Sequence, residues 1–164
     1  MNHFPARLDT LSKMITTVVF FVLVVPFITI GQHYYSHHDP KMLLAPVGIV
    51  LVLSICALYR PTGYTLTNDG LQIHRALGTR TIPAATIESI IPITTTDLGG
   101  GIRTFGSGGA FGYLGLFWYR KMGHMTLYVT DRSKMLLVKL VNGKKLLISP
   151  DDTQAFLQLY QSLS

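Results

Sequence analysis

The sequence predicts a membrane-anchored, mostly β protein, in which a two-helix apolar hairpin precedes a domain of about a hundred residues closed by one helix. Three observations predict it. Only 13% of the 164 residues are charged, about half the usual share, and mean hydropathy is +0.36. The apolar residues are concentrated, because segments 14–30 and 42–59 contain no charged side chain. From Arg60 onward, short runs rich in β-branched residues alternate with turn residues.

Segment 14–30, MITTVVFFVLVVPFITI, has 17 residues and spans about 25 Å as a helix. Segment 42–59, MLLAPVGIVLVLSICALY, has 18. Each Leu, Ile, Val or Phe at mid-bilayer favours insertion by roughly 0.3–0.6 kcal/mol, and no Lys or Arg opposes it. Residues 1–60 are therefore expected to form a transmembrane hairpin. The 104 residues that follow are too few to cover two such helices in a soluble core. Arg7 and Lys13 ahead of the first segment also resemble the start of a signal peptide, but no Ala-x-Ala site follows.

Lys and Arg set the expected orientation. Arg7 and Lys13 precede the first span and Arg60 follows the second, while only Lys41 lies at the connection between them. Both termini are expected in the cytoplasm, giving a multi-pass protein of the inner membrane. Residues 60–164 carry 11 Lys and Arg against 6 Asp and Glu, so the domain faces an anionic leaflet with positive charge. A tethered basic domain meets lipid before nucleic acid, and no nucleic-acid partner is expected. The single cysteine, Cys56, lies in the second span, which excludes an intrachain disulfide.

The connection GQHYYSHHDP gathers His33, His37, His38 and Asp39. Such a group has metal-ligand chemistry, but a short polar loop of this kind is more simply solvated beside an interfacial Tyr34 and Tyr35, and neither metal nor cofactor is assigned.

Downstream, runs 64–67 and 71–76 flank Asn68, Asp69 and Gly70 as a hairpin. Runs 79–82 and 87–95 follow, with Pro92 marking an edge strand or a bulge. Runs 125–130, 134–141 and 144–149 complete seven strands, the last two joined by Asn142-Gly143. A two-residue turn there pairs Leu140 with Lys145 and Val138 with Leu147. The chain closes with SPDDTQAFLQLYQSLS, where Ser149 is placed to cap a helix and Ala155, Phe156, Leu159 and Tyr160 form its apolar stripe.

Segment 99–121 stands apart, with eight glycines between Gly99 and Gly115 and then LFWYRKMG. It lacks the Gly-Lys-Ser/Thr of a phosphate loop, and Phe111 occupies the third glycine position of a dinucleotide fingerprint. Two readings compete. The glycines and aromatic residues form a compact loop plugging the sheet, or the rings of Phe111, Tyr113 and Trp118 meet a partner or the headgroup layer beside Arg103, Arg120 and Lys121. No acid-base pair emerges from His74, Glu88, Asp97, His124 and Asp131, so an enzyme is not expected. Apolar spans without ionisable residues argue against a channel or transporter subunit.

Taken together, YTLTNDGLQIHRALGTRTIPAATIESI, FGSGGAFGYLGLFWYRKMG and GKKLLISPDDTQAF resemble segments of bacterial PH-like (pleckstrin-homology-like) domains. The resemblance covers roughly 62–162. It implies a bent antiparallel sheet or barrel of about seven strands capped by a C-terminal helix, and no enzymatic activity. Inositol-lipid binding does not carry over, because Ala76, Leu77, Gly78 and Thr79 fill the turn where a basic cluster would lie, with only Arg75 and Arg80 beside it. The expectation is a non-catalytic module for protein association or self-assembly at the inner face of the membrane, with anionic phospholipid headgroups as the alternative ligand.

Overall fold

The computed structural model describes residues 3–37 and 44–163. Strand β1 (His3–Pro5) comes first and pairs antiparallel with β2 (Pro61–Thr67), with Phe4 opposite Tyr64. Helices α1 (Thr10–His37) and α2 (Leu44–Tyr59) lie between these two strands in sequence. The segment before α1 thus contributes a strand to the first sheet.

Helix α1 starts four residues ahead of the apolar segment. Asp9 accepts the amide of Ser12 at 2.6 Å, an N-cap that makes helical residues of the polar Thr10 to Lys13. It also continues seven residues past Ile30, where Gly31 alone is a poor helix former. The side chains of His33 and His37, like residues 38 and 39, fall outside the described residues. Within the described residues, one stretch, Thr10–Ile30, is long and apolar enough to cross a bilayer, at a mean hydropathy of 2.3. Pro46–Tyr59 is apolar but shorter.

The remaining strands are β3 (Gly70–Arg75), β4 (Thr79–Pro83), β5 (Ile87–Ile93), β6 (Gly101–Gly109), β7 (Gly112–Tyr119), β8 (Gly123–Val129), β9 (Met135–Leu140) and β10 (Lys145–Ile148). A one-turn helix α3 (Thr95–Leu98) follows β5, and α4 (Thr153–Leu163) ends the described chain. One sheet has the order β1-β2-β3-β4 and the other β5-β9-β10-β8-β7-β6. Ten strands are described where seven were expected, because β1 and the hairpin β6–β7 add three. The expected antiparallel pairing also has an exception. Strand β10 inserts between β9 and β8, and runs parallel to β8 with Leu147 opposite Leu127.

Strand β5 lies at an edge with Pro92 in it, as its proline requires. The β9–β10 register is one residue from the expected one: Leu146 faces Val138 and Leu147 faces Leu137. The turn is longer than two residues, with the Gly143 amide donating to Leu140 O at 2.8 Å and the Leu140 amide donating to Lys144 O at 2.9 Å. Since side chains alternate, that slip moves Leu147 to the opposite face from Val138.

Two apolar cores result. Leu71 and Ile73 of the first sheet pack with Val138, Leu146 and Ile148 of the second, and Phe156 of α4 is fully buried among them. On the other face of the second sheet, Leu127, Val129, Leu137 and Leu147 gather with Phe117, Tyr119 and Leu98. Burial of each such side chain is worth about 1.5–3 kcal/mol, so β8, β9 and β10 are held from both sides. Helix α4 begins after Asp152, which accepts the Ala155 amide at 2.9 Å. Ser149 is not the cap: it is buried, and its Oγ accepts the Thr130 amide at 2.8 Å.

Candidate functional site

The glycine-rich segment is a paired hairpin and not an irregular loop, although its Tyr113, Phe117 and Tyr119 do serve as core anchors of the second sheet. Strands β6 and β7 form a hairpin in register from Gly101 opposite Tyr119 to Gly109 opposite Gly112, with an irregularity between Arg103 and Phe105. Gly106 and Gly115 face each other with φ of +120° and +113°, and a Cβ on Gly115 would lie 2.2 Å from the carbonyl oxygen of Phe105. Only glycine permits the two backbones to approach this closely. The hairpin tip rests on α1. A Cβ on Gly109 would lie 2.6 Å from Ile15 Cδ1, and the Phe111 amide donates to Thr16 Oγ1 at 3.0 Å. Phe111 takes a left-handed φ of 60° to make that bond.

The residues expected to share one contact surface are therefore distributed along the hairpin. Phe111 is at the tip against α1. Tyr113 is buried, with the Arg132 guanidinium 5.1 Å above its ring. Arg120 and Lys121 stand at the opposite end, roughly 25 Å away by strand rise. There the Lys121 Nζ donates to Thr96 O at 3.0 Å and the Arg120 amide donates to Gly100 O at 2.9 Å, tying the strand end to α3. Arg103 lies along β6, and a Cβ on Gly108 would sit 3.3 Å from its Nη1. Trp118 alone of the aromatic candidates looks outward from the middle of the sheet face.

Trp118 belongs to a surface that the sequence did not single out. Ile102 pairs with Trp118 and Phe105 with Leu116, and these four are exposed by 67, 38, 75 and 49% respectively. They form two apolar cross-strand rows on one face of β6–β7, at the sheet edge that β6 leaves open. The alternation in FWY and in GIRTF carries the signal, but it is visible only once both stretches are known to be paired strands.

A second surface surrounds the base of the helices. Asp9 accepts the Arg132 amide at 3.5 Å, and its own amide donates to Thr130 O at 3.0 Å, so α1 leaves the domain beside the β8–β9 turn. Arg7 pairs with Asp151 at 3.2 Å. At the end of α2 the Leu77 amide donates to Leu58 O at 3.1 Å, which brings in the β3–β4 turn. Arg75 lies 5.4 Å above the Tyr59 ring, and Arg80 Nη1 donates to Tyr128 Oη at 2.6 Å. With Lys13 and Arg60, the cations that looked too few along the sequence collect at the helix base.

The acid-base candidates are separated. Asp97 is held below the usual carboxylate range by the hydroxyl of Thr94, at 2.5 Å, and by the Thr94 amide, as the third residue of α3 reaching back to its N-cap Thr94. Asp131 accepts from Ser133, and His74 lies between Thr65 and Thr79. Glu88 and His124 stand on β5 and β8. Among the described residues no three His, Cys, Asp or Glu side chains are grouped to hold a metal ion.

The two-sheet body, with a terminal helix packed by Phe156, agrees with a match of the bacterial PH domain family over residues 62–164. The chain belongs to that family. Searches of curated proteins and of solved structures return no match. The β6–β7 hairpin of this bacterial PH domain and the helix base both present side chains to a ligand, and β1 extends the first sheet from outside the matched residues.

Proposed function

We propose that the chain is a membrane-anchored, non-catalytic association module of the inner membrane. Helices α1 and α2 are the anchor, and both termini and the PH domain lie on the cytoplasmic side. The domain engages another polypeptide through the outer face of β6 and β7, the simplest partner being a second copy of the chain.

The observation that carries this reading is the pair of exposed apolar rows, Ile102 with Trp118 and Phe105 with Leu116, beside an unpaired edge. Contiguous apolar surface beside an open strand is what a protein contact covers. The other edges are less inviting, since β1 ends in Pro5, β4 in Pro83, and β5 carries Glu88 and Pro92. Anchoring is supported by the exposed Val18, Phe20, Phe21, Phe27 and Ile28 of α1. The pairing of β1 with β2 favours an even number of crossings, because it keeps the chain on both sides of the helix pair in one sheet.

A photo-crosslinking residue at position 105, activated in intact membranes, tests the association. An adduct of twice the chain mass that is lost on Trp118→Asp is the expected result, and an adduct of another mass assigns the contact to a different protein. Lipid adducts alone would overturn the reading. Contact with anionic headgroups is a second reading, favoured at another place by the cations of the helix base.

A further inference from the structure

Helices α1 and α2 are not packed flush along their facing sides. They enclose a groove of about 720 Å³, bounded on α1 by Thr16, Phe20 and Phe27 and on α2 by Val50, Leu53 and Ala57. Phe111 adds to the lining from the tip of the β6–β7 hairpin. From Thr16 to Ile30 the α1 wall is about 21 Å long, somewhat more than the roughly 15 Å of hydrocarbon in one leaflet.

The walls define the occupant. The Thr16 hydroxyl donates to Ser12 O at 2.7 Å and accepts the Phe111 amide, and the Ser54 hydroxyl donates to Val50 O at 2.8 Å. These two hydroxyls are engaged within the protein, and apart from Thr17 the rest of the lining is apolar, so the groove suits a largely apolar occupant.

Charge defines the remainder of the ligand. Lys13 lies three and four residues before Thr16 and Thr17, which places it on the groove side of α1 one turn nearer the domain. Arg60 follows Ala57 by three, and its amide donates to Ala57 O at 3.4 Å, so the turn that ends α2 reaches it. Each wall thus ends in a cation at the same end of the groove, and the carboxylate of Asp9 is occupied by the Ser12 and Arg132 amides.

Resting on the anchoring proposed above, we infer that the groove holds one acyl chain of an anionic phospholipid whose phosphate lies between Lys13 and Arg60. The lipid fills the space between the helices, and Phe111 brings the end of the β6–β7 hairpin against it. Specificity comes from the two cations and affinity from the apolar walls.

The full-length chain is recovered from carbonate-washed membranes, transferred to mild detergent, stripped of lipid, and offered dioleoyl phosphatidylglycerol or dioleoyl phosphatidylcholine. Native mass spectrometry reads the adducts. One phosphatidylglycerol per chain is expected, at roughly tenfold to thirtyfold preference over phosphatidylcholine. The double variant Lys13→Gln, Arg60→Gln loses that preference, whereas Lys121→Gln at the far end of the hairpin keeps it. Ala57→Phe and Val50→Trp, which fill the groove, each lose both lipids while the domain retains its near-ultraviolet circular dichroism. Equal retention of the two lipids by the native chain, or a preference surviving in the double variant, would overturn the inference. So would bound lipid in both groove-filled variants. Appearance of the chain in the carbonate wash instead contradicts the anchoring, which separates that failure from the failure of the lipid site.

Discussion

Tyr64 shows how one side chain joins the two sheets. It is fully buried on β2, its hydroxyl donates to Tyr128 O at 2.5 Å, and it accepts the Ser149 amide at 3.2 Å. Burial pushes its phenol from 10.0 up to about 12, since the phenolate would be stranded in the core. A folded pKa above the unfolded one gives stability that is complete below pH 10 and is lost as pH rises toward about 12. The loss amounts to about 3 kcal/mol over that window. Tyr64→Phe is expected to cost about 1–3 kcal/mol at pH 7, because Tyr128 O and the Ser149 amide lose a buried partner. It also flattens the decline above pH 10. Urea unfolding of the full chain in detergent at pH 7 and pH 11.5 measures both, and an unchanged alkaline slope would remove Tyr64 as its cause. None of this was legible in the sequence, where Tyr64 is one aromatic residue in a strand and Ser149 resembles a helix cap.

Among elements, the hairpin β6–β7 departs furthest from its sequence reading, and the reason lies in the glycines. Eight of them over 99–115 lower strand propensity, so composition reads as a loop. Several are instead required by pairing, as at Gly106 opposite Gly115. Gly115→Ala places a Cβ against backbone at a positive φ, where no side-chain rotation relieves it, and is expected to destabilise the hairpin by about 1–3 kcal/mol. Faster amide hydrogen exchange over 101–119, with β2–β3 unchanged, checks this. Uniform protection would show that the hairpin tolerates the methyl.

Other elements were legible because their signals are local. The edge position of Pro92 and the apolar stripe of α4 stand as read, and the first hairpin turns where expected, at Asn68-Asp69, with Gly70 already in β3 and paired to Thr67. The β9–β10 register did not, since Leu136 to Val138 are buried on both faces and offered no polar-apolar alternation to fix it. The cap at Asp9 was readable from its position before Thr10 to Ser12, but the apolar segment drew attention to its own start at Met14. The contact residues were only half legible: Trp118 was singled out, while Phe105, Leu116 and Ile102 depend on a pairing that no periodicity announced.

At the scale of the molecule, the helix pair and the domain are built into each other. Strand β1 joins the sheet before α1 departs, Asp9 ties the start of α1 to the β8–β9 turn, Leu77 meets the end of α2, and Phe111 bonds to Thr16. A helix pair attached at four places transmits its orientation to the domain, unlike a flexible linker. The open face of β6–β7 is then held at a fixed angle to the helix pair.

Cysteine accessibility tests the proposal that α1 crosses the inner membrane and leaves the PH domain in the cytoplasm. In a Cys56→Ser background, single cysteines are placed at Gln32, toward the far end of α1, and at Thr153, at the start of α4. Labelling with a membrane-impermeant maleimide is compared in intact spheroplasts and inverted vesicles. The account predicts that the cysteine at 32 reacts only in spheroplasts and the one at 153 only in inverted vesicles. Labelling of both from the same side would contradict it.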